Sequence, residues 1–526
     1  MVSLPETRYD EVLYPGFPME QTHPDRLATL ASLFGMKPAP VERCRLLELG
    51  CGDGGNLIPM GFSLPESKFT GIDLSARAIA KGQGLLAELE LENVTLRRFD
   101  ILDVSPDFGE FDYIIAHGIY SWVPLEVRDK ILSICKTNLA PHGVAYVSYN
   151  AYPGGRVRQM MREMMLFHTR HLTDPTEKVQ QARALIQFLS DAHPNPDYYG
   201  LLYKKELERV KQSRDSLLFH DDLEEINFPC YFWQFVEHAA QHGLQYLAEA
   251  DFHEMNDHGF PPSISEAMSS LPNDQIMREQ YLDFLKNRKF RQTLLCHANV
   301  PLNRTLRPEQ VAVYYASSSV RPVSTSPDIY SWTKEEFRTA QGRTVETDHP
   351  LAKAALLRLG EVWPRVVRFD DLLALAQTQM QMGAKSEEES RDSDPLVLGE
   401  LLLKTYAANA VQLHLHAHKF VLKVSEHPVA SRLARLQARN GSVLASLRHT
   451  PVKMEDPAGR GLLQLMDGTR DRAAILDQMT GLIASGEVAV HREGQPLEDA
   501  GEAVRFITEH FEESLARMAR LALLVA

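Results

Sequence analysis

The sequence predicts an α/β protein built on a doubly wound, mainly parallel sheet, and three observations carry that prediction. Short apolar runs alternate with helix-length segments between Arg45 and Asn150. Four glycines fall within the six residues that follow the first apolar run. Acidic residues recur where successive runs end. Strands and helices alternating at this spacing mean βαβ units, whose right-handed crossovers place helices on both faces of a parallel sheet.

The elements follow in order. Residues 1–40 are rich in proline and aromatics and turn helical from about Pro24, which suits a first helical turn after His23. RLLELG (45–50) reads as a buried strand that ends in the glycine turn, and a helix begins near Asn56. KFTGID (68–73), VTLRRFD (94–100), FDYIIAH (111–117) and GVAYVSYN (143–150) are the next strands, with helices over 75–90 and 125–139 between them. Residues 156–219 read as three helices, an inserted lobe. The segment 234–250 returns to a helix, a stop at Gly243 and a strand, the last pair of the same sheet. Beyond residue 305, three helices and the alternating QLHLHAHKF (412–420) suit a small winged-helix-like unit. SEEESRDSD (386–394) has five acids and one arginine, and reads as a solvated loop. The last hundred residues are mostly helical. After a lid segment, 1–40, the resulting division is 41–155, 156–220, 221–305, 306–410 and 411–526, consistent with about three to five domains for 526 residues.

Composition bounds the function. Hydrophobic residues make up 44% and charged residues 24%, an ordinary globular mixture. The net charge of −14 argues against a surface built to hold nucleic acid, which needs lysine and arginine in excess. The N-terminus lacks the basic and apolar regions of a secretory signal, and no apolar run approaches the ~20 residues that span a bilayer. Five scattered cysteines show no CxxC pair. The expectation is a soluble, cytoplasmic protein that is not integral to a membrane.

The strongest chemical signal is Leu46-Leu47-Glu48-Leu49-Gly50-Cys51-Gly52-Asp53-Gly54-Gly55-Asn56. Glycine allows the sharp turn and the close approach of backbone to a flat ligand. Asp73 ends the second strand, twenty-three residues after Gly50, where an acid binds ribose hydroxyls in nucleotide-type sheets. Glu48, Asp73 and Asp100 stand at or near the carboxyl ends of consecutive strands. Many acids and few bases here suit a cationic nucleoside better than a pyrophosphate, and the turn lacks the G-K-[ST] of a phosphate-binding loop.

ELGCGDGGN, GIDLS, FDILD and FDYIIAHG together resemble the class I S-adenosylmethionine-dependent methyltransferases. RYDEVLYPGFPMEQTHPDRL, HGIYSWVPLEVRDKIL, SYNAYPGG, FPCYFWQFVEHAAQHGLQYLAEA and LDFLKNRKFRQTLLCH are similar to the bacterial lysine methyltransferases of rickettsial outer-membrane proteins, which carry a methyltransferase regulatory domain. The resemblance implies a Rossmann-like methyltransferase sheet with an inserted helical lobe, followed by winged-helix-like and mostly helical C-terminal domains. It implies S-adenosyl-L-methionine as cofactor and a protein lysine as acceptor. Gly50 and Gly52 would let the cofactor pass over the turn, flanked by Glu48, Cys51, Asn56 and Leu74. Asp73 would take the ribose, Asp100 and Ile101 the adenine, and His117 the methionine moiety.

Tyr120 and Trp122 follow the fourth strand and Tyr149 ends the fifth, so all three are read as an acceptor channel, where aromatic faces tolerate ammonium and methylammonium alike. Ser121 and Asn150 adjoin them. Tyr14, Gln21 and His23 lie on an N-terminal segment read as a lid. No metal site is assigned. His414, His416 and His418 read as the exposed face of a strand; the histidines of HEMNDH (253–258) are five apart; and the methionines of RQMMREMMLF (158–167) suit a packed helix face. The inserted lobe and the resemblance make a homodimer the expectation. Two other readings compete: methylation of a small molecule, and a regulatory protein that only senses the cofactor.

Overall fold

The computed structural model describes residues 8–12, 14–272, 274–381, 394–492 and 495–526. The first helices among the described residues are α1 (Arg8–Glu11) and α2 (Pro24–Leu33). His23 caps α2 by accepting from the Asp25 N–H, and Pro24 fills the first turn, where no N–H partner is needed.

A seven-stranded sheet follows. Its strands are β1 (Arg45–Leu49), β2 (Lys68–Asp73), β3 (Val94–Arg98), β4 (Phe111–Ala116), β5 (Leu139–Asn150), β6 (Leu244–Glu249) and β7 (Phe290–His297), in spatial order β3-β2-β1-β4-β5-β7-β6. The first five are parallel, and β7 is antiparallel to both its neighbours. The crossovers carry α3 (Leu57–Ser63), α4 (Ala76–Leu89) and α5 (Leu125–Thr137). Strand order reverses at β1, which pairs with β2 on one side and β4 on the other. Open α/β sheets bind ligands in the crevice beyond such a reversal.

Between β5 and β6 the chain forms α6 (Gly155–Thr169), α7 (Pro175–Ala192), α8 (Tyr198–Gln212), α9 (Asp215–Asp222) and α10 (Phe232–Gln241). The first four make the inserted lobe, with a core of its own that includes Met161, Met165, Ile186 and Val210. Helices α11 (Pro262–Ser269) and α12 (Gln275–Lys286) lead to β7, whose insertion beside β5 the sequence pattern did not show.

The sheet buries both faces. Leu46, Phe69, Leu96, Tyr113 and Tyr146 face one core, and Leu47, Ile72, Ile114, Val147 and Tyr149 face the other, under α5 and α10. This is the period of two that strand residues obey. The first core continues into the next unit, formed by α13 (Pro350–Val362), α14 (Phe369–Gln381) and α15 (Asp394–Ala407). In that unit Tyr315–Ser317 pairs antiparallel with Val367–Arg368 and Gln412–His414. The C-terminal unit holds α16 (Arg432–Asn440), α17 (Pro457–Leu465), α18 (Arg472–Ala484) and α19 (Ala500–Arg520) around a further core.

One expectation needs correction. Only Gln412–His414 of the histidine-rich run is a strand, and His414 and His416 are buried. His414 Nδ1 lies 2.8 Å from Asp25 Oδ2 and His416 Nδ1 lies 2.6 Å from Glu42 Oε1. The N-terminal segment covers the face that the alternation suggested was solvated. The acidic loop read at 386–394 lies, apart from Asp394, outside the described residues. Among the described residues no helix is long and apolar enough to cross a membrane.

Candidate active site

The turn after β1 is clamped to β2 by two hydrogen bonds, from the Gly50 and Cys51 N–H groups to Ile72 O (2.9 and 3.0 Å). Gly52 has φ +54°, and a Cβ there would meet nothing within 4 Å. The turn therefore leaves open space above a backbone that favours glycine. Gly16 crosses it at Gly55, where a Cβ on either residue would collide with the other strand of chain or with Asp53.

Asp73 is aimed by backbone. Its Oδ2 accepts from the Gly52 N–H (2.9 Å) and its Oδ1 from the Ser75 N–H (2.8 Å). Burial outweighs these bonds and raises its carboxyl above the ordinary carboxylate range. Glu48 is more enclosed: Oε1 accepts from Asn56 Nδ2 (2.8 Å), while Oε2 is buried with no partner. Burial pushes its carboxyl up to about 8. Among the described residues neither acid pairs with lysine or arginine; Lys81 is taken by Asp53 at 2.8 Å. Buried acids without cations, an orphaned oxygen and an open glycine cradle fit a positively charged nucleoside.

Asn56 joins three parts of the chain. Its Oδ1 accepts from the Met19 N–H (3.0 Å) and lies 2.9 Å from His449 Nε2, and its Nδ2 donates to Thr22 Oγ1 (3.0 Å) as well as to Glu48. Burial holds His449 down at about 3, so it is neutral and donates through Nε2. Asp10 accepts from Ser75 Oγ (2.6 Å), and so fastens α1 beside Asp73. Leu74 O accepts from Arg98 Nε (3.0 Å). Asp100 caps the short turn that carries buried Ile101, accepting from the Leu102 N–H (2.9 Å). Cys51 is buried, which raises its thiol well above the ordinary value.

Beyond β4, His117 Nδ1 lies 2.8 Å from the Tyr146 hydroxyl, which donates to Gln292 Oε1 (2.9 Å). Phe290 approaches His117 edge-on at 6.0 Å. Burial pushes His117 down to about 4. Ser148 Oγ accepts from the Gly118 N–H (2.7 Å). Tyr120 and Tyr149 are buried in the core under α10, 6.0 Å apart, with Tyr149 stacked on Phe235 at 4.2 Å. Their hydroxyls reach His238 Nδ1 (2.7 Å) and Thr293 Oγ1 (3.2 Å). Trp122 is half-buried beneath the Arg162 guanidinium of the lobe. Ser121 Oγ accepts from the Asn150 N–H (2.9 Å), and Asn150 Nδ2 donates to Asn227 (2.8 Å).

The structure thus joins Glu48, Gly52, Asn56 and Asp73 to the glycine turn, and brings Ser121 to Asn150. Gln21 lies beside the Tyr146 hydroxyl. Tyr14 instead packs its ring against His220 of the lobe (5.7 Å), and His23 is buried between the rings of His418 and His449. Sequence reasoning missed Tyr146, Gln292 and His449. Tyr146 was legible in principle, because it alternates with Tyr149 on β5 and so faces the opposite side. His449 carried no signal, since it lies 393 residues from its partner.

Comparison with known proteins now decides the family. Residues 47–145 match the family model of a methyltransferase domain, 214–297 that of a predicted methyltransferase regulatory domain, and 426–523 that of the PKMT C-terminal winged helix domain. An uncharacterized protein of Rickettsia prowazekii is 33% identical over 98% of this chain and 93% of its own length. The chain belongs to the class I S-adenosylmethionine-dependent methyltransferases that carry this regulatory domain. A second uncharacterized R. prowazekii protein is 39% identical over 45% of this chain and 96% of its own. The solved structure of PKMT2 from Rickettsia typhi in complex with AdoHcy superposes with a TM-score of 0.86 at 29% identity, covering 98% of this chain and all of that one. The methyltransferase sheet, the inserted helices and the C-terminal unit are therefore shared over the full length, and the winged-helix match falls on 426–523, not on the 306–410 unit that the sequence pattern suggested.

Proposed function

We propose that this methyltransferase modifies a lysine side chain of a bacterial protein of the outer-membrane type, and that it works in the cytoplasm as a homodimer. The observation that carries the reading is the full-length likeness to PKMT2, which includes the units outside the sheet. A sheet that served a small acceptor would not need them. The five cysteines are all free thiols, in keeping with a reducing compartment.

Bound S-adenosylmethionine supplies an electrophilic methyl on a sulfonium. Gly50 and Gly52 let it pass close to the turn, with Cys51, Asn56 and Leu74 at its edges. Asp73, already aimed by two N–H groups, takes the ribose hydroxyls. Asp100 and Ile101 hold the adenine, and Glu48 answers the positive charge of the methionine end. His117, kept neutral by burial, borders that end without adding a competing charge.

A lysine amine has a pKa of about 10.4 in water and must arrive without its proton. Desolvation between Gln21, His117, Tyr146 and Phe290 favours the neutral amine, as does the nearby sulfonium. Ser121, Trp122 and Asn150 border the other side, and Tyr120 and Tyr149 lie in the core behind them. Tyr120 and Tyr149 act there by packing and by fixing the strand ends, because their hydroxyls are already engaged. His23 and Tyr14 hold the N-terminal segment across the opening.

The test is incubation with methyl-labelled S-adenosylmethionine and fractionated bacterial lysate, followed by hydrolysis. Label recovered as methyl-lysine is expected. Label confined to small molecules overturns the reading.

A further inference from the structure

We infer that Asp129, His238 and His242 form a binding site for a divalent transition metal of the zinc class. His238 and His242 are one helical turn apart at the end of α10, the spacing that puts two imidazoles on one face. Both Nε2 atoms converge on the same oxygen, Asp129 Oδ1 of α5, at 3.3 and 2.9 Å. The three ligand atoms all lie within 4.8 Å of one another. Small outward rotations of the carboxylate would leave two nitrogens and one oxygen around a common centre, the donor set that zinc and its neighbours prefer.

Two further features favour a metal over a simple ion pair. Metal-binding histidines usually give their other ring nitrogen to a fixed partner, which sets the tautomer. His238 Nδ1 has such a partner in the Tyr120 hydroxyl at 2.7 Å. A phenol oxygen can accept an Nδ1–H, which leaves Nε2 free to coordinate. The site is also open on one side: Asp129 is exposed and the two histidines are half-buried, so water can complete the coordination.

The consequence is a link between a surface ion and the acceptor side. Coordination would tie α5 to α10 and would set His238 Nδ1–H as the donor to the Tyr120 oxygen. Tyr120 opens the segment after β4, next to His117. The inference does not depend on which acceptor is methylated.

The test uses the full chain, freed of metal with a chelator and titrated with Zn2+ by calorimetry, and with Co2+ by visible absorption. One saturable equivalent per chain is expected, with ligand-field bands for cobalt. Asp129→Asn and His242→Ala should each weaken Zn2+ binding at least about tenfold, and Tyr120→Phe about tenfold through loss of the outer partner. His253→Ala, a histidine outside the trio, should bind as wild type does. Circular dichroism confirms that each variant folds. Absence of saturable binding, or binding unchanged in both Asp129→Asn and His242→Ala, shows an ion pair only and overturns the inference.

Discussion

Two groups of buried carboxylates stand at opposite parts of the sheet, and they are treated in opposite ways. At the β7 flank, Glu249, Glu279 and Asp283 surround Arg291, at 2.6, 3.1 and 2.9 Å, all four fully or almost fully buried. The guanidinium also lies 3.8 Å above the Phe232 ring. At the cofactor end, Glu48 and Asp73 are buried against Asn56 and backbone N–H groups alone. One cluster carries its own counter-charge, while the other leaves acids to be answered from outside. Burying an uncompensated charge is costly, so a fold retains such acids where a ligand completes them.

The contrast can be broken most forcefully at Arg291. Arg291→Ala takes the shared guanidinium from three buried acids, leaving Arg288 beside only Glu279 and Asp283, and should cost about 3–5 kcal/mol, read from urea unfolding. Asp73→Ala should do the opposite kind of damage. It should leave unfolding near wild type, because burial already disfavours the ionised carboxylate. Cofactor affinity, measured by calorimetry, should fall about a hundredfold with the loss of charge-assisted bonds of about 1.5–3 kcal/mol. If Asp73→Ala also unfolds the protein, the two clusters are alike and the comparison fails.

His449→Ala probes how far the C-terminal unit supports the cofactor end. Loss of its bond to Asn56 should weaken cofactor binding by about 1 kcal/mol, or roughly fivefold. The finest measurement counts protons. Glu48 titrates near 8 in the folded chain against an ordinary 4.5. A carboxyl raised in this way binds more protons folded than unfolded between those values, so its contribution to stability falls as pH rises from about 4.5 to about 8. Glu48→Gln should flatten that slope in unfolding midpoints. Cofactor binding at pH 7 should release up to about one proton in wild type, seen as buffer-dependent heat, and none through this group in Glu48→Gln.

The legible parts of the molecule share a local cause. The glycine turn, Asp73 and the first five strands were readable because their signals lie within single βαβ units, where hydropathy period and turn chemistry act over a few residues. The β7 insertion was not, because LDFLKNRKFRQTLLCH mixes basic and apolar residues, and only pairing with β5 on one side and β6 on the other makes part of it a strand. The buried histidines failed for a related reason. His414 and His416 alternate as an exposed face would, yet Asp25 and Glu42 arrive from about 370–390 residues away to cover them.

The sequence by itself determined the fold class, the position of the cofactor turn and the placement of acids at strand ends, since those follow from period, spacing and glycine's freedom at positive φ. Tertiary structure alone decided which acids would be paired. Whether a carboxylate meets an arginine, as Glu249 does, or is left with an orphaned oxygen, as Glu48 is, depends on which distant segments pack against it. The same holds for Asn56, whose partners at Met19, Glu48 and His449 meet only in the folded chain. Charge compensation acts through space, and spacing along the chain does not encode it.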